Sequence, residues 1–340
     1  MSKASGAEIL ARLLLFRLFS GILGDCSQPT IPRSKIALYA ILRGSHFKRR
    51  GHMRNANRLN IFYLPALILF CVFVVYPFID GVRISFTDWN GFLPDYEYIG
   101  WRNYKTFFQD SVIRRVLSNT IVYGFGSTFF QNIIGLSLAL FLDSKFHGRG
   151  IVRTVAYLPV MIAPLIMGYI MFFILQFRGG ALNDMMILFG GSRVDWLAQP
   201  NRTVAIILIV NTLQYMGVSM VIYLAGLQNI PAMYKEAAMV DGVSPWGRFW
   251  YVTFPLLIPA ISSSVIINLI GGLKLFDIIR ALTPPSPSTG AHSFTTYLTY
   301  SYFNVQKAGY SSTIGIFTFL LILAITVVTL KYFDGKEVTM

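Results

Sequence analysis

Charged side chains are what this sequence has least of. They make up 13% of its 340 residues, while 54% are hydrophobic and the mean hydropathy is +0.57. A soluble globular domain carries about 25% charged residues. So little polar surface cannot cover the chain in water, and lipid is the expected solvent. Acidic residues are the scarcer sign, 15 Asp and Glu against 29 Lys and Arg, which leaves a net charge of +14. In a soluble domain that excess would point to nucleic acid. Here much of it lies at the ends of apolar segments or ahead of the first one, where anionic headgroups and the positive-inside rule account for it. Nucleic acid is not an expected partner.

Cysteine is nearly absent. Cys26 and Cys71 form no CxxC or Cys/His spacing, so neither a disulfide framework nor a metal site is expected. His46, His52, His147 and His292 are scattered and read as ordinary loop residues. No GxxxxGK[ST] segment occurs, so the chain is not expected to cradle ATP phosphates itself. Carboxylate pairs and nucleophile motifs are missing from the apolar segments, which argues against an enzyme. An ionisable group in mid-membrane costs roughly 2.5–3.5 kcal/mol on insertion scales and marks many ion-coupled carriers. The centres of these segments hold almost none. Lys274 and Asp277 stand three residues apart toward the outer end of the fifth segment, a helical spacing at which they pair or meet water. An ion relay within the chain is therefore not expected.

What is present is a series of six long apolar runs, at about 61–82, 116–142, 154–177, 204–228, 255–279 and 310–332. They predict an all-α integral membrane protein with six transmembrane helices over residues 53–340. Residues 1–52 read differently. The apolar run 9–23 is interrupted by Arg12 and Arg17, Lys48-Arg49-Arg50 follows, and Met53 then opens a new start. This segment is expected to be either a dispensable extension ahead of a mis-called start or a disordered basic arm. Residues 83–115 mix charges with Trp89 and Trp101 and read as an exposed interfacial loop, with an amphipathic stretch before the second span. Arg49, Arg50, Arg54 and Arg58 precede the first span, and Lys145, Arg149 and Arg153 fill the loop between the second and third. The positive-inside rule places both regions, both termini and the loop between spans four and five in the cytoplasm.

Within the spans the polar groups are neutral. Asn119, Gln131 and Asn132, among Gly124, Gly126 and Gly135, predict close helix packing in the second span. Asn211, Gln214 and Tyr215 cluster in the fourth, and Ser264 and Asn268 share a face of the fifth. Such groups suit the path of a neutral, hydroxyl-bearing solute. They equally suit interhelical hydrogen bonds, each contributing about 0.6–2 kcal/mol.

Residues 230–259 are a polar hinge in an oily chain. Pro231 and the run Glu236-Ala237-Ala238-Met239 favour a short helix that Gly242 stops, and Pro245 can start a second. Glu236-Ala237-Ala238, Gly242 after three residues, and Val252-Thr253-Phe254-Pro255 after nine more resemble the EAA loop of ABC importer permeases, with Val and Phe where Ile and Leu are usual. The resemblance extends over about residues 60–335. SFTDWNG (85–91), IGWRNYKTFF (99–108), LPVMIAP (158–164), LAGLQNIP (224–231) and KLFDII (274–279) narrow it to the carbohydrate-uptake type and its maltose-permease-like member. Departures are Thr283-Pro284-Pro285-Ser286-Pro287 where the family reads T-x-GGP, and a family Trp replaced within 213–215.

The resemblance implies the type I ABC importer permease fold and a place in the bacterial inner membrane. It implies a second permease subunit, two cytoplasmic ATPases that carry the ATP and Mg, an extracytoplasmic solute-binding protein and a sugar substrate, with no cofactor on this chain. Glu236, Ala237, Ala238, Asp241 and Gly242 are implied to couple to the ATPase. Asn211 and Asn268 are the best matches to the sugar site, with Gln214, Tyr215 and Ser264 beside them. The alternatives are a permease for glycerol phosphate, whose anion site a partner subunit would have to supply, or another polar solute, and an ion-driven carrier acting alone.

Overall fold

The computed structural model describes residues 63–144, 146–286 and 290–336. The N-terminal extension, Arg54, Arg58, Lys145 and Pro287 lie outside the described residues. The chain divides into two units, 1–68 and 69–340. Of the first, the described part is the opening turns of α1 (Leu64–Ile84). The second unit carries everything that follows.

The described residues are helical, with one isolated bridge between Thr87 and Tyr98. Four helices are each long and apolar enough to cross a membrane: α1, α3 (Ser111–Asp143), α7 (Pro200–Asn229) and α13 (Ala308–Asp334). Two bent pairs bring the number to as many as six. In the first, α4 (Arg149–Met161) and α5 (Pro164–Ile174) meet at 96°. The predicted third span, 154–177, is thus broken rather than curved. Ala163 takes ψ 134° because the Pro164 ring disfavours helical geometry in the residue before it, and Ile162 ahead of it is also extended, with ψ 131°. In the second pair, α9 (Pro245–Leu256) and α10 (Ile258–Leu273) meet at 67°.

Helices α3 and α7 form the spine. Ala139 and Leu142 of α3 pack with Met220, Tyr223, Leu224 and Leu227 of α7. The contact is close because Gly135 has no side chain: a Cβ there would collide with Ser219 and come within 2.9 Å of the Met220 backbone nitrogen. A second cluster joins Tyr123 of α3 and Ile207 of α7 to Ile278, Ile279 and Leu282 of α11 (Asp277–Leu282).

Residues 83–115 are not simply an exposed loop. Ser85 and Thr87 are buried, and Asn103 on α2 (Arg102–Gln109) donates to both of their carbonyls, at 2.9 and 2.8 Å. The amphipathic stretch expected at Arg114 and Arg115 is the first turns of α3, with Ile113 and Val116 buried and both arginines exposed; α2 has the same character, with Asn103 and Phe107 inward and Arg102 and Lys105 outward. Asp110 caps α3 through the Val112 amide and accepts the hydroxyls of Tyr297 on α12 (Phe294–Phe303) and Tyr310 on α13, at 2.7 and 2.8 Å. One carboxylate thereby fixes the entry to α3 against two later helices.

Candidate functional site

Two regions carry the candidate residues. The first is α8 (Ala232–Val240), in the hinge. Pro231 stands at its N-cap, one position earlier than a first-turn proline, where its missing N–H leaves no bond unmade. At the other end Gly242 takes φ +71°, its N–H donates to the Met239 carbonyl at 3.1 Å, and Val243 N–H reaches the Ala238 carbonyl at 3.0 Å. This pair of bonds is the Schellman closure that a left-handed residue after the helix makes possible. Ser244 then caps α9 by accepting the Gly247 amide at 3.2 Å, which sets up a helix–turn–helix. Glu236, Ala237, Asp241 and Gly242 are exposed, whereas Ala238 is buried at 7% and faces the chain itself. Met233, Met239 and Val240 are also exposed, at 66%, 53% and 89%, together with Trp246 on α9. An apolar surface rimmed by charge on an ordered helix has the character of a protein contact.

The second region is a cavity of about 520 Å³ among α3, α5, α7 and α10. It is lined by Gln131, Asn211, Tyr215, Asn268, the backbone of Gly271 and Gly272, and Lys274 and Asp277 just beyond the end of α10. Among the described residues the Asn211 side-chain amide and the Tyr215 hydroxyl have no hydrogen-bond partner. Gln131, 1% exposed, donates to the Asn211 backbone carbonyl at 2.9 Å and leaves its own Oε1 unpaired. Unsatisfied amides beside a cavity are positions where a hydroxyl-bearing ligand gains hydrogen bonds that the empty protein does not make.

The remaining candidates stand behind this wall. Gln214 is fully buried and donates to the Ile162 carbonyl at 3.0 Å, so it satisfies the break between α4 and α5. Ser264 donates to Asn132 Oδ1 at 2.7 Å, and the Tyr223 hydroxyl donates to the same oxygen. Asn268 belongs to both sets: it lines the cavity, and its Nδ2 donates to Ser219 Oγ at 2.6 Å.

Lys274 and Asp277 do not pair. Among the described residues the ion pairs are Arg83 with Asp80 and Lys235 with Asp143. Of the two expected outcomes, pairing assumed a continuous helix, but α10 ends at Leu273 and α11 begins at Asp277; the other, contact with water, remains open to Lys274, which is exposed. Lys274 lines the cavity as a basic group. Gln131, Lys274 and Asp277 were missed as site residues. Their signal was polarity inside an apolar run, which alone cannot say which face a residue occupies.

The chain as a whole resembles known proteins. Residues 131–337 match the family described as "Binding-protein-dependent transport system inner membrane component". The chain is 32% identical to the "Probable starch degradation products transport system permease protein AmyD" of Thermoanaerobacterium thermosulfurigenes, over 86% of this chain and 99% of that one. It is also 32% identical to the "Trehalose/maltose transport system permease protein MalF" of Thermococcus litoralis, over 82% and 94%. Its fold matches a crystal structure of a bacterial ABC transporter involved in the import of the acidic polysaccharide alginate, with a TM-score of 0.73 and 26% identity over 83% of this chain and 97% of that one. A second structure of the alginate transporter, in complex with an alginate pentasaccharide-bound periplasmic protein, matches with a TM-score of 0.72 and 26% identity over 82% and 94%. The all-helical architecture, the apolar spans and the family match agree: this chain belongs to the binding-protein-dependent transport system inner membrane components, the membrane-spanning permeases of ABC importers.

Proposed function

We propose that the chain forms, with a second permease subunit, the path by which a sugar or oligosaccharide crosses the bacterial plasma membrane. An extracytoplasmic solute-binding protein delivers the solute, and two cytoplasmic ATPases, holding the ATP and Mg, drive the cycle. Both termini and the hinge 230–259 lie on the cytoplasmic side. The exposed face of α8, with Glu236, Ala237, Asp241 and Gly242, docks on an ATPase, and Ala238 seats that helix on the chain. The Schellman closure holds the docking helix to its connector, which suits it to pass on a push.

The observation that carries the sugar reading is the cavity wall. Asn211, Tyr215 and Asn268 present neutral polar groups in a membrane interior where an unmade hydrogen bond is costly. The relatives named for starch products and for trehalose and maltose support the same class. Gln214 and Ser264 hold the helices that bear these contact groups. The test is uptake of labelled oligosaccharide by the complete importer in proteoliposomes. Asn211→Ala and Asn268→Ala are expected to raise KM. Unchanged affinity and rate in both variants would refute this site.

A further inference from the structure

We infer that Lys274 and Asp277 set the charge preference of the cavity, so that it accepts an uncharged, hydroxyl-rich solute and turns away an acidic one. The inference rests on the transport path proposed above.

These are the two charged side chains in the cavity wall; its other lining groups are amides, a tyrosine, glycines and apolar residues. Both are placed by the break between α10 and α11. Lys274 lies at φ −102° and ψ 19°, and Phe276 at φ −131° and ψ −61°, which takes the two side chains off a common helical face. The break is built in. Leu275 within it is buried, and Ser293, eighteen residues on, donates to its carbonyl at 2.8 Å. Lys274 follows the C-terminus of α10 and Asp277 opens α11, so each charge complements its own helix dipole and neither needs the other. Arg280, the next charge along, lines a separate pocket of about 120 Å³ that shares Phe276 with this one.

The consequence is a cavity with one acceptor charge and one donor charge, neither with an ionic partner among the described residues. Asp277 is half-buried, and a carboxylate drawn partly out of water gains by accepting hydroxyl hydrogens. Lys274 is exposed and donates to hydroxyl or ring oxygens. A neutral sugar satisfies both. A uronate or a phosphate ester can meet Lys274, but it sets its own charge against Asp277 between apolar walls, where water screens poorly. Asp277→Asn leaves Lys274 as the remaining charge of the wall and should reverse the preference.

The test is equilibrium binding of a labelled neutral oligosaccharide and an oligouronate of equal length to the purified complex of this chain with its partner subunits. The binding protein is omitted, so that its own selectivity does not enter. The wild type is expected to favour the neutral sugar. Asp277→Asn should shift the ratio toward the uronate by about tenfold or more, on the scale of one like-charge contact removed. Lys274→Gln should shift it the other way, and Asp277→Glu should hold the wild-type ratio. An unchanged ratio in Asp277→Asn, or a wild type that favours the uronate, overturns the inference. If Asp277→Asn does not assemble, an unchanged ratio in Lys274→Gln overturns it equally. Binding of neither sugar by the wild type would instead bring down the transport path itself.

Discussion

Lys235 of the hinge helix α8 holds Asp143, the last residue of α3, with Nζ 3.2 Å from Oδ2. A carboxylate at a helix C-terminus opposes the helix dipole, and the lysine offsets it. The pair therefore joins the hinge to the same helix that carries Gln131 to the cavity.

Removing that link should uncouple more than it destabilises. Both side chains are about one-third exposed, at 30% and 32%, so the pair contributes under about 1 kcal/mol to stability. Asp143→Asn or Lys235→Met is expected to leave the thermal midpoint within about 4 °C of wild type while lowering the sugar moved per ATP hydrolysed. The exchange Asp143→Lys with Lys235→Asp should recover part of the loss. Uptake per ATP measured across the three variants checks this.

Ser264 and Asn211 should separate stability from recognition. Ser264→Ala removes the 2.7 Å bond to Asn132 and the long 3.4 Å contact from Asn268 Nδ2, at a cost of about 0.6–1.7 kcal/mol, while Asn268 keeps its place in the cavity wall through its 2.6 Å bond to Ser219 Oγ. It is expected to lower the melting temperature of the purified complex and leave KM unchanged. Asn211→Ala should do the reverse, because its side-chain amide has no partner among the described residues. Equal effects on both readouts would contradict the division between wall and support.

His292 predicts a pH dependence. It is 4% exposed, Nδ1 lies 3.1 Å from Thr296 Oγ1 and Nε2 3.0 Å from the Ser286 carbonyl. Burial, reinforced by the Arg280 charge, pulls its pKa below the ordinary 6.5 despite the Ser286 bond. The unfolded chain then binds the proton more readily than the folded one. The stabilising contribution is full above pH 6.5 and is lost as the pH falls below it. Asn119 of α3 donates to the Gly290 and His292 carbonyls, so loosening this segment releases the N-terminal part of α3. The wild type should lose more thermal stability than His292→Gln between pH 7.5 and 5.5.

Fold class was legible because hydropathy alone reports a lipid-facing helix, and the helix stop at Gly242 because a left-handed residue there wants glycine. The break at Ala163 was half legible: Pro164 announced a bend but not a turn of 96°. The break at Lys274 was not. KLFDII contains no proline or glycine, and the Ser293 hydroxyl that holds it open is a long-range contact. The same limit separates Gln131 from Asn132. They are neighbours of like character, yet one borders the cavity and the other ties Ser264 and Tyr223 together. Only the packing of α3 against α7 and α10 tells them apart. Residues 83–115 misled because Arg102 and Lys105 lie on α2's outer face while Asn103 and Phe107 fill the inner one.

The central claim is that another protein's ATP cycle enters through residues 236–242. Gly242 can be replaced without collision, since a Cβ there would meet nothing within 4 Å, but its φ of +71° and its bond to Met239 both exclude proline. ATP hydrolysis and sugar uptake should be measured together in proteoliposomes holding the complete importer, for the wild type and Gly242→Pro. Wild-type uptake is expected to require ATP, and the variant to lose uptake while its ATPases still hydrolyse or no longer co-purify. ATP-coupled uptake that persists in Gly242→Pro, or wild-type uptake driven by an ion gradient with no ATPase present, would contradict the account.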